Sequence, residues 1–341
     1  MRVELPLILL AAVSCFAISA VLTGLVRTYG LRHSILDVPN ARSSHTLPTP
    51  RGGGLAIVLS YLTSIVVLFM VGRLESSLAL AFAGGVLVAG VGFLDDRAPQ
   101  RASVRLMVHF VSAGWALYAL EGAPGIVLGS HVMAAGPVMN LLAAVAFVWV
   151  INLFNFMDGI DGLAASEALF IGLAGVLVSG LASAASSLGA ASILLAAACG
   201  GFLLWNWAPA RIFMGDIGSG FLGYVVAVLA LQAAHQSDGA LYAWLVLGGL
   251  FFVDATVTLL RRLARGDRPH EAHRTHAYQR LARKWESHGK VTLLYGLVNL
   301  LWCLPLAALA YSRPHQAFVL LCIAILPLAL AAHLLGAGRR E

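Results

Sequence analysis

The chain has 341 residues, 60% of them hydrophobic and only 11% charged, with a formal net charge of +6; its mean hydropathy is +0.86. Soluble domains carry roughly a quarter charged residues, so this composition excludes a soluble enzyme and indicates an integral membrane protein. The positive balance is explained by loop placement, which leaves no reason to invoke nucleic acid as a partner.

Spanning about 30 Å of hydrocarbon takes roughly 20 apolar residues per helix. Eleven such segments are expected, giving an all-α polytopic membrane protein with a single integral membrane domain over 1–341. The first, 4–26, is too long and too weakly preceded by positive charge for a cleaved signal peptide, and it leads into loop 27–52, with "DVPNARSSHTLPTPRGGG" at 37–54. Segments 53–72 and 76–94 follow, then loop 95–102, which overlaps "GFLDDRAPQR" at 92–101. Segments 103–120 and 138–157 lead to loop 158–162, the end of "NFMDGIDG". After 163–182 and 187–207 comes loop 208–218 within "NWAPARIFMGDIGSG". Segments 219–235 and 240–260 precede the long basic loop 261–289, and 290–311 and 315–336 close the chain. The four cysteines fall inside these segments without a CxxC pair, which reads as packing rather than metal or disulfide chemistry.

Lys and Arg in short loops set orientation. With the N-terminus periplasmic and the C-terminus cytoplasmic, nineteen of the twenty-two basic residues fall inside, leaving only Arg2, Arg73 and Arg313 outside. Every loop of distinctive composition then lies on the cytoplasmic face.

Five of the nine aspartates, Asp95, Asp96, Asp158, Asp161 and Asp216, stand at or just past the inner ends of segments. One acid there is a solvated helix end, but five on three loops at the same depth form a carboxylate cluster that calls for cations. Oxygen ligands of this kind suit Mg²⁺, with Mn²⁺ as the alternative. The glycines beside them, including Gly52 to Gly54, Gly159, Gly162, Gly215 and Gly218, let backbone N–H groups approach an anion. Gly84, Gly85, Gly248 and Gly249 read only as close helix packing. Carboxylates, glycines and arginines together suit a phosphorylated substrate held through a divalent ion, and at a membrane surface one such substrate can be a lipid.

These motifs resemble the polyprenyl-phosphate N-acetylhexosamine-1-phosphate transferases, a bacterial inner-membrane family of glycosyltransferase type, over about residues 37–300. The resemblance implies transfer of an N-acetylhexosamine (or deoxy-N-acetylhexosamine) 1-phosphate from a UDP-sugar to undecaprenyl phosphate, with release of UMP and a need for Mg²⁺. Asp95 and Asp96 fall on the family's paired acids, although Pro99 stands where a third is usual. The "NxxNxxDGxDGLA" motif is intact through Asn152, Asn155, Asp158 and Asp161, and "FMGDxGS" is intact from Phe213 to Ser219. By resemblance Asp216 is a metal ligand, helped by Asp95 or Asp96, while the other acid of that pair orients or deprotonates the lipid phosphate. Phe213 would stack on uracil with Asp161 nearby. "RTHAYQRL" keeps His276 and Arg280 but has Tyr278 and Gln279 where histidines are usual. Four residues apart, His276 and Arg280 share a helix face, and with Arg51 they are candidates to hold the diphosphate. Asp254 matches either a family acid or a buried carboxylate paired with arginine. The "NARSSHTLPTPRGGG" and "HAYQRL" loops look more like the O-antigen initiators than the peptidoglycan MurNAc-pentapeptide transferases, which are the runner-up. A secondary transporter is disfavoured because its acids belong near the bilayer midplane within paired repeats. A homodimer is left open.

Overall fold

The computed structural model describes residues 5–39, 47–129, 131–267 and 273–340. Arg42 of the first loop and His270 of the last lie outside the described residues. Helix α1 (Leu5–Arg32) is followed by a two-residue hairpin, β1 (Leu36–Asp37) antiparallel to β2 (Thr49–Pro50), then α2 (Gly54–Met70), α3 (Ser76–Ala83), α4 (Gly85–Arg97) and α5 (Ala102–Ala119). A second hairpin, β3 (Ile126–Leu128) with β4 (His131–Met133), precedes α6 (Pro137–Met157), α7 (Leu163–Val178), α8 (Ser187–Asn206) and α9 (Asp216–Ala234). The chain ends with α10 (Ala240–Leu247), α11 (Gly249–Leu263), α12 (Ala277–Trp285), α13 (His288–Val298), α14 (Leu304–Ser312) and α15 (Ala317–Leu334).

All eleven predicted segments are helical, but not all are equally suited to crossing a bilayer. Seven are long and apolar enough, or eight when α10 and α11, bent by 69° about Gly248, are taken as one broken span. Helices α2 and α7 are apolar but have 17 and 16 residues, about 25 Å at 1.5 Å per residue. Helix α5, which carries Arg105 and His109, is not among them. Gly248 thus does more than the close packing expected of it, whereas Gly84 and Gly85 do take close rings, from Tyr224 and Phe221. The two hairpins are a small addition to the all-α expectation.

Helix α9 is the axis of the bundle. Its spanning stretch is 83% buried inside the protein, against 17% for α1 and α15, which present leucines outward. Phe221, Tyr224 and Val228 of α9 pack with Tyr61, Phe82, Phe147 and Ile151 from α2, α3 and α6. A helix apolar all round is covered either by protein or by lipid; α9 is covered by protein, and this covering fixes the position of its first residue, Asp216. Gly92 of α4 makes a close approach, since a Cβ there would lie 2.4 Å from the Asp216 carbonyl oxygen.

Candidate active site

The N-terminus of α9 gathers the polar residues. Backbone bonds zip the segment after β2 to the segment before α9: Phe213 N–H donates to Pro50 O (2.8 Å), Gly53 N–H to Phe213 O (2.9 Å) and Gly54 N–H to Met214 O (2.9 Å). This places Arg51 over Asp216. From α4, Asp96 accepts the first two N–H groups of α9, Asp216 at 2.9 Å on Oδ1 and Ile217 at 3.1 Å on Oδ2. A carboxylate there satisfies orphan donors and matches the positive end of the helix dipole. Gly215 is required on two grounds: its φ is +79°, and a Cβ would stand 2.5 Å from Asp96 Oδ2.

Two arginines bridge the acids. Arg51 lies 2.7 Å from Asp96 Oδ1 and 3.3 Å from Asp216 Oδ1. Arg105 lies 2.7 Å from Asp95 Oδ2 and 3.5 Å from Asp216 Oδ2. Asp95 also accepts Gln100 N–H at 2.6 Å. Asp158, just past α6, accepts no side-chain hydrogen bond among the described residues; burial beside Asp216 and Asp96 pushes its carboxyl well above the usual carboxylate range. The structure therefore brings Asp95, Asp96, Asp158 and Asp216 together with Arg51. Arg105, one of the nineteen basic residues counted on the inner side, joins them from α5. No sequence signal marked it, because its partners are ten and 111 residues away.

Among the described residues no three His, Cys, Asp or Glu side chains are set to enclose a metal ion. Magnesium does not demand such a cage: it binds through one or two carboxylates, waters and substrate phosphates. Asp95 and Asp216 are both reached by Arg105 Nη1, so one carboxylate oxygen of each faces the same cationic position. With four acids facing two guanidiniums and Asp158 uncommitted, the donor set fits a hard divalent cation on Asp216 and Asp95. Asp96 fits less well, since both of its oxygens already accept from the α9 backbone.

The asparagines are built into the walls. Asn155 Nδ2 donates to Ser219 Oγ at 3.1 Å, tying α6 to α9. Asn152 Nδ2 donates to Val148 O at 2.7 Å and reaches His109 Nδ1 at 3.3 Å, beside a cleft of about 20 Å³ that Arg105 and Asp216 also line. That is room for about one water.

Asp161 organises a second region. Its Oδ2 accepts Ala210 N–H at 3.0 Å, its Oδ1 lies 3.2 Å from His288 Nδ1, and its carbonyl accepts the Thr292 hydroxyl at 3.0 Å. Asn206 completes the loop by accepting Gly162 N–H (3.0 Å) and donating to Ile212 O (2.9 Å). Around this scaffold opens a cavity of about 690 Å³ lined by Asp161, Phe213, Arg283, Glu286 and His288. That size is typical of a small-molecule site. Sequence reading singled out Asp161 and Phe213; Arg283 and Glu286 carried no motif.

His276 and Arg280 are not brought together. His276 is the N-cap of α12 rather than a residue inside it, so four-residue spacing does not put the pair on one face. The His276 ring is buried, stacked on His273 and 3.4 Å from Asp254 Oδ1. Arg280 points toward the chain's end, donating to Arg339 O at 3.3 Å. Asp254 is buried and, among the described residues, is partnered by backbone and neutral side chains rather than by an arginine: it accepts from Ala277 N–H (2.8 Å), Tyr278 N–H (3.0 Å) and Tyr295 Oη–H (3.0 Å). Asp254 thus does for α12 what Asp96 does for α9. Between α6, α9, α10 and α11 lies an apolar cavity of about 300 Å³, with Leu142, Phe147, Trp244 and Phe252 in its walls.

Comparison with known proteins places these features among relatives. The profile of glycosyl transferase family 4 matches residues 78–234, which hold Asp95, Asp96, both asparagines, Asp158, Asp161, Phe213 and Asp216. The chain is 29% identical to the decaprenyl-phosphate N-acetylglucosaminephosphotransferase of Mycolicibacterium smegmatis, over 89% of this chain and 82% of that protein. It is 25% identical to a probable undecaprenyl-phosphate N-acetylglucosaminyl 1-phosphate transferase of Bacillus subtilis, over 93% and 88%. It is 31% identical to the phospho-N-acetylmuramoyl-pentapeptide-transferase of M. smegmatis, over 76% and 84%.

Proposed function

The chain belongs to glycosyl transferase family 4, and on that footing we propose that it transfers a sugar 1-phosphate from a UDP-sugar to a polyprenyl phosphate, releasing UMP. The observation that carries this reading is the convergence of four carboxylates and two arginines at the start of α9. The acceptor is undecaprenyl phosphate and the sugar an N-acetylated hexosamine. The similarity to N-acetylglucosamine phosphotransferases over about nine-tenths of the chain supports that choice over the muramoyl-pentapeptide substrate. Initiation of O-antigen or a related surface polysaccharide is the role we assign. The reaction would take place on the cytoplasmic face of the inner membrane, in an eleven-span, N-out, C-in topology supported by the nineteen inward basic residues.

In the proposed reaction an oxygen of the lipid phosphate attacks the sugar-bearing phosphorus, the bond from that phosphorus to the UMP oxygen breaks, and UMP departs with the pair of electrons. One phosphoanhydride replaces another, so the protein's task is positioning and charge neutralisation. Phe213 and the cavity organised by Asp161 would hold the nucleotide. Arg51 and Arg105, already poised on Asp216, would turn to the diphosphate oxygens as it enters. Asp158, buried beside Asp216 and Asp96, is the candidate to take up the proton of the lipid phosphate. Asp216 and Asp95 would hold Mg²⁺, which would supply charge neutralisation of the diphosphate. The apolar cavity beside α6 and α10 suits a prenyl chain.

The test is UMP release from UDP-N-acetylglucosamine in detergent with undecaprenyl phosphate. Asp216→Asn should abolish it while the protein keeps its elution profile; near-normal turnover would remove Asp216 from the chemistry.

A further inference from the structure

A second polar cavity, unrelated to the carboxylates, lies between α12 and the end of α15. It encloses about 340 Å³, and its walls are Arg280, Arg283 and Lys284 with Leu281, Leu334 and Leu335. No acid lines it. Arg280 and Lys284 form no ion pair among the described residues, while the nearby Asp267 is taken by Arg265 (2.7 Å) and Arg340 (2.6 Å). Arg280 is nonetheless held in place: its Nη1 donates to Arg339 O, and its guanidinium lies against Gly336, whose φ of +83° leaves no Cβ in the way.

The apolar half of the wall fixes the depth. Leu334 ends α15, one of the helices apolar enough to cross a membrane, and is 71% exposed; Leu335 is its C-cap. Trp285 at the end of α12 is also partly exposed, as amphipathic rings at a bilayer surface are. Fixed cations above exposed leucines at the mouth of a span match a phosphate-bearing head group above its acyl chains.

We propose that this cavity binds the head group of an anionic phospholipid of the surrounding bilayer, separately from the acceptor lipid that is consumed. Arg280 and Lys284 would take the phosphodiester, and Leu334 and Leu335 the glycerol and first methylenes. The inference does not depend on the reaction proposed above.

Native mass spectrometry of the full chain in detergent, with phosphatidylglycerol and phosphatidylcholine at equal concentration, tests it. The wild type should retain phosphatidylglycerol several-fold over phosphatidylcholine. Lys284→Glu should lower that preference roughly fivefold or more, and Lys284→Arg should keep it. Lys290→Glu, an equal charge change on α13, should leave it unchanged. Equal retention of both lipids by the wild type, or equal loss in Lys284→Glu and Lys290→Glu, would overturn the site. So would Lys284-dependent retention of undecaprenyl phosphate with none of phosphatidylglycerol, which would assign the cavity to the substrate. Inorganic phosphate at millimolar concentration should not displace the lipid, and displacement would show a free-anion site instead.

Discussion

Asp254 offers the cleanest separation of scaffold from chemistry. It is buried, and its two oxygens accept from Ala277 N–H, Tyr278 N–H, Tyr295 Oη–H and Thr258 Oγ1–H at 2.8 to 3.2 Å. Asp254→Asn keeps the shape but turns one acceptor into an NH₂ group facing donors. At least one buried donor then loses its partner, costing about 1–3 kcal/mol, and the anion at the start of α12 is lost, costing about 0.3–1 kcal/mol more. The expected destabilisation is about 1–4 kcal/mol; Asp254→Ala, which leaves three or more donors unmet, should exceed it. Because α12 carries Arg283 into the 690 Å³ cavity, the surviving protein should show a raised KM for the UDP-sugar with kcat less affected. The assay is the thermal unfolding midpoint in detergent beside UMP-release kinetics. An unfolding midpoint within about 1 °C of wild type, together with abolished kcat, would refute the reasoning and return Asp254 to the reacting groups.

Three further outcomes are expected. Gly215→Ala meets both an unfavourable φ and Asp96 Oδ2, so it should shift the start of α9 and cut kcat at least tenfold while membrane insertion, followed by yield in the membrane fraction, is retained. Arg105→Ala leaves Asp95 and Asp216 facing each other without their shared cation; UMP release should fall by about 10²-fold or more, with Arg105→Lys intermediate because one nitrogen, Nη1, makes both contacts and an ammonium keeps that charge while losing the remaining guanidinium donors. His273, packed on His276, has its pKa held down to about 3 by burial and by His276 and Arg262, from an ordinary 6.5. The unfolded chain therefore binds the extra proton first, so stability should fall as pH drops through 6.5 toward 3. His273→Gln should flatten that part of a pH-dependent unfolding curve.

The sequence made the membrane class, the helical segments and the participating loops legible, because hydrophobic runs and loop charge are local properties. The family motifs likewise named Asp95, Asp96, Asp158, Asp161, Phe213 and Asp216, most of which the fold gathers at the start of α9. What it could not convey was division of labour. Asp95 and Asp96 are adjacent in sequence, yet α4 turns one toward Arg105 and the other into the backbone of α9. His276 and Arg280 share a motif, but the helix begins between them, so one faces Asp254 and the other the end of α15. Arg105 had no motif at all, and its role arises only where α5 meets α4 and α9. A residue's type and spacing decide what its side chain can bond; which partner it finds depends on how separately folded helices pack, and in this bundle the close approaches at Gly92 and Gly215 set that packing.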